Sequence, residues 1–466
     1  MNHLQAHQKI HIIGIGGAGM SAIARVLRGR GFQVQGTDRR ASPLTADLQA
    51  EGIAITIGQA AENLGAADLV LASSAVPEDN VEVLAARERN IPVMRRPDFL
   101  GELTEGYDLI AIAGAHGKTT VTGMTTLALL EAGLDPTFII GGVVAGLGTN
   151  ARVGAGKHFI IEADEYRSTF LALKPQVAVI TNIEYDHPDS FKSLRYLRLA
   201  FGDFVDNIRP DGTLIACNDD KIAHAVGASF HANGGHLLLY GIHAGVGLAW
   251  QAAGLHPNEF GGLTFLAIHD EVPMGQIRLR VPGAFNVLNA LATLTVTSAL
   301  GLDWVYTRLA LEKFEGTARR FEVLGDVSGV VVVDDYAHHP TQIAAVIAAA
   351  TQRYPDRRIV VAWEPHTFSR IRALHSDFMK AFAEADEVIV LPIYAAREKD
   401  DGTLTAQQLA AEIIHPEVTA TTSQDEAVQV LLAHARPGDV VLLLGAGDEY
   451  VIGQRLLEQL QTRNIA

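Results

Sequence analysis

Short apolar runs alternate with amphipathic stretches along almost the whole chain. In the first block, "HIIGIGG" reads as a strand entering a glycine turn, and "MSAIARVLRGRG" as a helix closed by glycine. "FQVQGTD", "DLVLASSAV" and "IPVMRR" follow as further strands. A second block opens with the strand "YDLIAIAG" and the helix "KTTVTGMTTLALLEAG", then the buried strands "HFIIEADE" and "QVAVITNIEYDH". After "GTLIACNDD" the pattern is less regular until the helical run "AFNVLNALATLTVTSALG". A third block starts near "TARRFEVLG", with strands "VVVVDDYAHHP", "RIVVAWEPH", "EVIVLPIYAARE" and "DVVLLLGAGDEY" and helices such as "TQIAAVIAAATQRY" between them. Continuous apolar strands separated by helices mark an α/β protein built on mainly parallel sheets with crossover helices. The blocks divide at residues 1–104, 105–319 and 320–466.

Composition narrows the picture. A chain of 466 residues is too long for one core, and 48% apolar with 19% charged residues suits large buried cores. The formal net charge of −16 argues against nucleic acid or an anionic membrane as partner. The one cysteine, Cys217, rules out an internal disulfide and a thiolate metal site, and reads as a buried structural thiol. The N-terminal residues do not resemble a signal peptide, and no apolar run is long enough to span a membrane. The expectation is a cytoplasmic protein.

Chemistry first appears in "GIGGAG". Gly14, Gly16 and Gly19 have the G-x-G-x-x-G spacing between a strand and a helix, and Asp38 ends the next strand. Glycines let the backbone turn tightly and bring amides and a helix N-terminus against a diphosphate. This loop specifies a diphosphate without specifying nicotinamide.

A second loop, "GAHGKTT", follows the strand of the middle block. Only Ala115 and His116 separate Gly114 from Gly117, two residues fewer than the usual phosphate-binding loop has. Lys118 is placed to reach terminal phosphates and Thr119 to offer a hydroxyl to Mg²⁺. Two later strands end in polar groups, Glu162 and Asp164 on one, Asn182, Glu184, Asp186 and His187 on the other. Ligands of open parallel sheets gather at such ends. A dehydrogenase accounts for the first loop only, and an ATPase for the second only. An enzyme joining ATP to a nucleotide-diphosphate substrate accounts for both.

The chain resembles the Mur ligases of bacterial cell-wall synthesis, whose shortened loop "GAHGKTT" matches. "HIIGIGGAGMSAIA", "SSAVPEDN", "EADE", "TNIEYDHPDSF", "FNVLNA", "RRFEVLG", "VVDDYAHHPTQI" and "GAGDEY" resemble the branch that adds the first amino acid. The resemblance implies a Rossmann-like domain for the UDP part of the substrate, a P-loop ATPase-like core and a Rossmann-like third domain. It implies UDP-N-acetylmuramate and L-alanine as substrates, ATP and Mg²⁺ as cofactors, and a monomer or weak homodimer. The UDP end would meet Gly16, Gly17, Ala18, Gly19, Met20, Asp38, Ser73 and Ser74. ATP would meet Gly114, Ala115, His116, Gly117, Lys118, Thr119 and Thr120, with Asn286 and Asn289 at the adenine, Arg320 at the phosphates and Asp335 at the ribose. Thr119 and Glu162 would hold one Mg²⁺ and His187 a second. Lys118, Glu162, His187 and Asp335 are the expected catalytic groups, and Tyr336, His338, His339, His366 and Arg370 face the lactoyl and alanine end. Phe285 stands where the family usually has histidine. Tyr166-Arg167 stands where many members have Ser-Asp, and the tyrosine resembles the relative that re-ligates a recycled tripeptide. "LRLAFGDF" has no lysine where other members carry a carbamylated one.

Such a ligase phosphorylates a carboxylate with ATP, and an amine then displaces phosphate from the acyl phosphate. The base that takes the amine's proton stays open among His338, His339 and Asp335. The competing readings are the recycling tripeptide ligase, an NAD-dependent oxidoreductase and a non-catalytic nucleotide-binding protein.

Overall fold

The computed structural model describes residues 8–243, 245–400 and 402–463. The chain divides into two compact units. One holds the residues up to Ile183, Leu197–Trp250 and Asn289–Leu311; the other holds Glu184–Tyr196, Gln251–Leu288 and the chain from Glu312 onward.

The first unit contains a five-stranded parallel sheet in the order Ala54–Ile57, Gln33–Asp38, Lys9–Ile13, Leu69–Ala72, Val93–Arg95. Ile10, Ile12 and Ile13 are fully buried, as a strand covered on both faces requires. The helix Ala18–Gly29 buries Met20, Ile23, Val26 and Leu27 at helical spacing. Strand order reverses between Lys9–Ile13 and Leu69–Ala72, so the crevice beyond their carboxyl ends is the switch point where open α/β sheets bind ligands. The helix Arg96–Leu103 ends the block, with Thr104 as its C-cap.

The same unit holds strands in the order His236–Gly241, Thr213–Cys217, Val177–Ile180, Asp108–Ala113, His158–Glu162, Thr137–Ile139, Ala151–Arg152. Only the last pair is antiparallel. Cys217 lies in this sheet, 2% exposed, and burial pushes its thiol up to about 11, so it is an inert core residue.

In the second unit, six strands run in the order Glu322–Val327, Val330–Asp335, Asp439–Leu444, Arg358–Trp363, Glu387–Val390, Val418–Ala420. All neighbours are parallel except the first pair. One face packs Val331, Val333, Ile343, Ile347 and Trp363, the other Val332, Val360, Ile452 and Leu456. The stretch that looked irregular in sequence contains the helix Lys221–Ala232 and the strands Leu248–Pro257, Leu263–His269 and Val272–Arg278. The last two form an antiparallel hairpin with half-exposed residues and a register shift at Ala267/Ile268, which breaks the alternation a strand would show. Glu184–Tyr196, which sequence places in the middle block, packs with the last sheet.

Candidate active site

The first glycine loop is held from both sides. Gly14 has φ +79°, and a Cβ there would lie 3.3 Å from Ser73 Cβ. Gly16 N–H donates to Asp38 Oδ2 at 2.9 Å. The Asp38 carboxylate therefore braces the loop, a different use from the ribose-binding acid of a dinucleotide site. Gly17 is the N-cap of its helix and supplies no side-chain cap, and since Met20 N–H donates to Gly17 O, the amides between them are the ones a ligand would meet. Met20 belongs to the core at 2% exposure. Ser74 lies past the neighbouring strand, and its buried Oγ has no hydrogen-bond partner among the described residues. Arg96, which the sequence reading passed over, lays its guanidinium over the loop: a Cβ on Gly19 would sit 2.8 Å from its Cζ. Its buried Nε has no hydrogen-bond partner among the described residues, and its ion pair with Asp164 is long at 3.8 Å. Amides, a hydroxyl and a guanidinium thus converge on one switch point, a donor set for a diphosphate.

The second loop is compact because a neighbouring strand end grips it. Asn182 Oδ1 accepts from His116 N–H at 2.8 Å, Asn182 O accepts from Ala115 N–H at 3.1 Å, and Thr181 Oγ1 donates to His116 O at 2.6 Å. Gly114 has φ +133°, and any Cβ there would collide with Thr181 Oγ1. A Cβ on Gly117 would strike Asn289 Oδ1. These contacts hold the shortened loop in place.

Lys118 Nζ donates to Glu165 Oε2 at 2.8 Å and to the carbonyl of Gly114. Burial opposes its charge, but Glu165 and Asp164 more than offset that and raise its pKa. Thr119 is buried in the first turn of the helix Lys118–Glu131, and Thr120 follows it. Glu162 ends its strand and accepts from Gly141 N–H. The Thr119 hydroxyl and the Glu162 carboxylate are hard oxygen donors, the type Mg²⁺ takes. Asn286 and Asn289 are both buried, at 5% and 6% exposure, where a bare i, i+3 pair on a helix is ordinarily at the surface. Asn286 Nδ2 donates to Pro282 O at 2.7 Å. Phe285 packs against the core of the last sheet.

In the second unit the adjacent arginines separate. Arg319, at φ +59°, donates to Asp334, Glu449 and the carbonyl of Gly447, and so ties the start of the block to "GAGDEY". Arg320 makes no ion pair among the described residues and stacks 5.2 Å from the centre of the Tyr336 ring. Asp335 is 5% exposed and accepts from Phe321 N–H at 2.8 Å. Burial pushes its carboxyl up to about 6, against the pull of Arg320 and the Phe321 amide.

His339 serves the fold. Its Nδ1 accepts from Thr341 N–H as the N-cap of the helix Pro340–Arg353, which leaves Nε2 to donate to Tyr185 O at 3.2 Å. His338, His366 and Arg370 instead form a cluster with Asp186. Arg370 Nε donates to Asp186 Oδ1 at 2.7 Å and Nη1 to His366 Nδ1 at 2.7 Å. A guanidinium only donates, so the proton of His366 is on Nε2. His338 Nδ1 donates to Tyr336 O at 2.7 Å, which leaves a lone pair on Nε2. Burial and then the Arg370 charge push His338 down to about 3; burial, His338 and Arg370 push His366 down to about 2. His187 has φ +54°, and its N–H donates to Asp186 Oδ1 at 2.6 Å.

Glu165 and Asp186 were visible in sequence as members of "EADE" and "EYDH". Nothing in the spacing said which carboxylate would turn to a lysine or an arginine. Arg96 carried no such signal, because its target is a backbone loop far away along the chain.

Among the described residues no helix is long and apolar enough to cross a membrane. Three family models match in order: "Mur ligase family, catalytic domain" over residues 9–108, "Mur ligase middle domain" over 112–297 and "Mur ligase, glutamate ligase domain" over 319–447. The UDP-N-acetylmuramate–L-alanine ligase of Caldanaerobacter subterraneus subsp. tengcongensis is 40% identical over 459 residues, 98% of each chain. The crystal structure of UDP-N-acetylmuramate–alanine ligase from Thermotoga maritima superposes with a TM-score of 0.84 at 28% identity, covering 98% of this chain and 100% of that one. A murein peptide ligase from Psychrobacter arcticus 273-4 superposes with a TM-score of 0.75 at 26% identity, covering 97% and 99%. Matched in every block, and 40% identical to a relative along nearly the whole of both chains, this protein belongs to the Mur ligase family.

Proposed function

We propose that the chain joins L-alanine to the lactoyl carboxylate of UDP-N-acetylmuramate, at the expense of ATP, in peptidoglycan precursor synthesis. The observation that carries this reading is the pairing of two phosphate sites in one chain: the braced "GAHGKTT" loop with Lys118, and the glycine loop at the first switch point with its spare donors. An oxidoreductase leaves the second site unused. The 40% identity to a relative named for this activity points the same way.

The residues divide the work. Block 1–104 takes the UDP end through Gly16, Gly17, Ala18, Gly19 and Ser74, with Asp38 shaping the loop and Ser73 packing against Gly14. Block 105–319 takes ATP through Gly114–Thr120, with Asn286 and Asn289 toward the adenine. Block 320–466 supplies Arg320 and Asp335. Mg²⁺ held by Thr119 and Glu162, with His187 as ligand of a second ion, would supply positive charge against the phosphate oxygens. Lys118 keeps its charge beside those oxygens while the lactoyl carboxylate attacks the γ-phosphorus and ADP leaves. The neutral amine then attacks the acyl carbon, and phosphate departs with the electron pair of the broken C–O bond. Tyr336, His338, His366 and Arg370 line the amino-acid end, and His339, which caps the helix Pro340–Arg353, sits beside them in sequence.

Tyr166 and the likeness to a murein peptide ligase favour a second reading, ligation of a recycled tripeptide. Phosphate release from Mg-ATP and UDP-N-acetylmuramate, with the amine varied, separates them. Release that requires L-alanine and vanishes in Lys118→Ala is expected. Release with L-alanyl-γ-D-glutamyl-meso-diaminopimelate alone would move the chain to the recycling reaction, and no release with any amine would sink both.

A further inference from the structure

Arg370 is 3% exposed, and its Nε and Nη1 are engaged by Asp186 and His366. Its remaining amino group has no partner among the described residues. A guanidinium in that position lacks one acceptor, and a carboxylate completes it. The carboxylate of the amino-acid substrate has that chemistry. The direction of the open amino group is set by Asp186, itself 3% exposed. One Asp186 oxygen takes Arg370 Nε at 2.7 Å and His187 N–H at 2.6 Å, and the other lies 3.8 Å from His338 Nε2.

We infer that Asp186 is a positioning residue: its carboxylate fixes Arg370 as the anchor for the carboxylate of the incoming amino acid, and so sets the affinity for that substrate. The inference rests on the proposed ligase reading and adds to it a residue that touches neither substrate. The guanidinium is a planar fork, so losing the Nε contact frees it to rotate about its last side-chain bonds and swings the open amino group away. Asp186 also lies next to His187, and a role in shaping the metal site would look similar in a simple activity assay. The test must therefore separate the substrates.

Steady-state constants for L-alanine, ATP, UDP-N-acetylmuramate and Mg²⁺ activation would be measured for wild type, Asp186→Asn, Asp186→Glu, Arg370→Ala and the double variant Asp186→Asn/Arg370→Ala. The expected result is an L-alanine KM raised at least about tenfold in Asp186→Asn, with the ATP, UDP-N-acetylmuramate and Mg²⁺ constants within about twofold of wild type. Asp186→Glu should recover part of the loss. In the Arg370→Ala background, Asp186→Asn should raise the L-alanine KM no further, because the anchor is already gone. The double variant also removes the stranded charge, so it keeps the test alive if Asp186→Asn alone folds poorly. A shift in Mg²⁺ activation with the L-alanine KM unchanged would overturn the inference, as would full additivity in the double variant. If wild type turned over no amino acid, the ligase reading and this inference would fall together. Wild-type turnover with an unmoved Asp186→Asn KM would sink the inference alone.

Discussion

The ammonium of Lys118 lies 2.8 Å from Glu165 Oε2, and the glutamate is 1% exposed. A lysine buried behind a glycine loop loses its hydration before any ligand arrives. Glu165, with Asp164 behind it, keeps the charge in place and raises the lysine's pKa against the effect of burial. Lys118→Ala should lower kcat by ~10²–10³, as loss of one preorganised electrostatic group does.

Glu165→Gln should act on stability before it acts on chemistry. It leaves Lys118 buried without its counter-charge, a change that typically costs about 3–5 kcal/mol. The variant should melt below wild type without ligand, and Mg²⁺ with a non-hydrolysable ATP analogue should restore more of its melting temperature than of wild type's, because phosphates replace the missing charge. Equal ligand-induced shifts would mean that Glu165 is not the resident counter-ion.

The loop's shortness has a mechanical consequence. Gly114→Ala would force a Cβ into Thr181 Oγ1 at a φ of +133°, and Asn182→Ala would strip the His116 amide of its side-chain acceptor. Each should cost about 1–3 kcal/mol and raise the KM for ATP, Gly114→Ala more strongly. Thermal melts and ATP titrations check both, and an unchanged KM in Gly114→Ala would contradict the brace.

Asp335 gives a pH signature. Its folded carboxyl is pushed up to about 6, so it is ionised above that pH and protonated below. kcat/KM for ATP should fall as pH drops through about 6, and Asp335→Asn should be slow and flat over that range. His338 and His366, held down to about 3 and about 2, stay neutral there and cannot supply the limb. A profile in Asp335→Asn with the wild-type limb intact would assign it to another group.

Much of the candidate site was legible in sequence because a strand, a glycine turn and a helix N-terminus are local features. "GIGGAG" and "GAHGKTT" each carry strand, glycine turn and helix within a few residues, and the structure forms both where the pattern placed them. The strand ends "EADE" and "DDYAHHP" were equally visible as polar groups after apolar runs. What stayed hidden depends on partners distant in the chain. Sequence places Asp38 at the end of its strand and does not show that its carboxylate accepts from Gly16 N–H. His338 and His339 look interchangeable until one caps a helix and the other faces Asp186. Adjacency in sequence does not separate Arg319 from Arg320; Glu449 and Asp334 take the first. The strand Glu322–Val327 was missed for a different reason: it is a half-exposed edge strand with a glycine at its register shift, and lacks the buried apolar run that marks its neighbours.

Glu449, which holds Arg319, also belongs to a carboxyl pair that sets how stability responds to pH. Glu364 and Glu449 meet beside Gly445: a Cβ there would lie 2.9 Å from Glu364 Cβ and 3.0 Å from Glu449 Oε2. Glu449 already accepts from Arg319 and from Gly447 N–H, so Glu364 is the member that keeps its proton. Burial and the Glu449 charge push Glu364 up to about 9 from an ordinary value of 4.5. The folded state therefore holds a proton that the unfolded chain releases, and the stability this group contributes below 4.5 is lost as pH rises toward about 9. Asp334, raised to about 7, adds a slope of the same sign to any variant that retains it. Glu364→Gln keeps a donor toward Glu449 and cannot ionise. Its melting temperature should fall less steeply than wild type's between pH 6 and 9, and at pH 8.5 it should exceed wild type's by a few degrees, at roughly 2–4 °C per kcal/mol for a domain of this size. Parallel melting curves across that range would show that Glu364 is ionised in the folded chain and that Arg319 is held by a different charge balance.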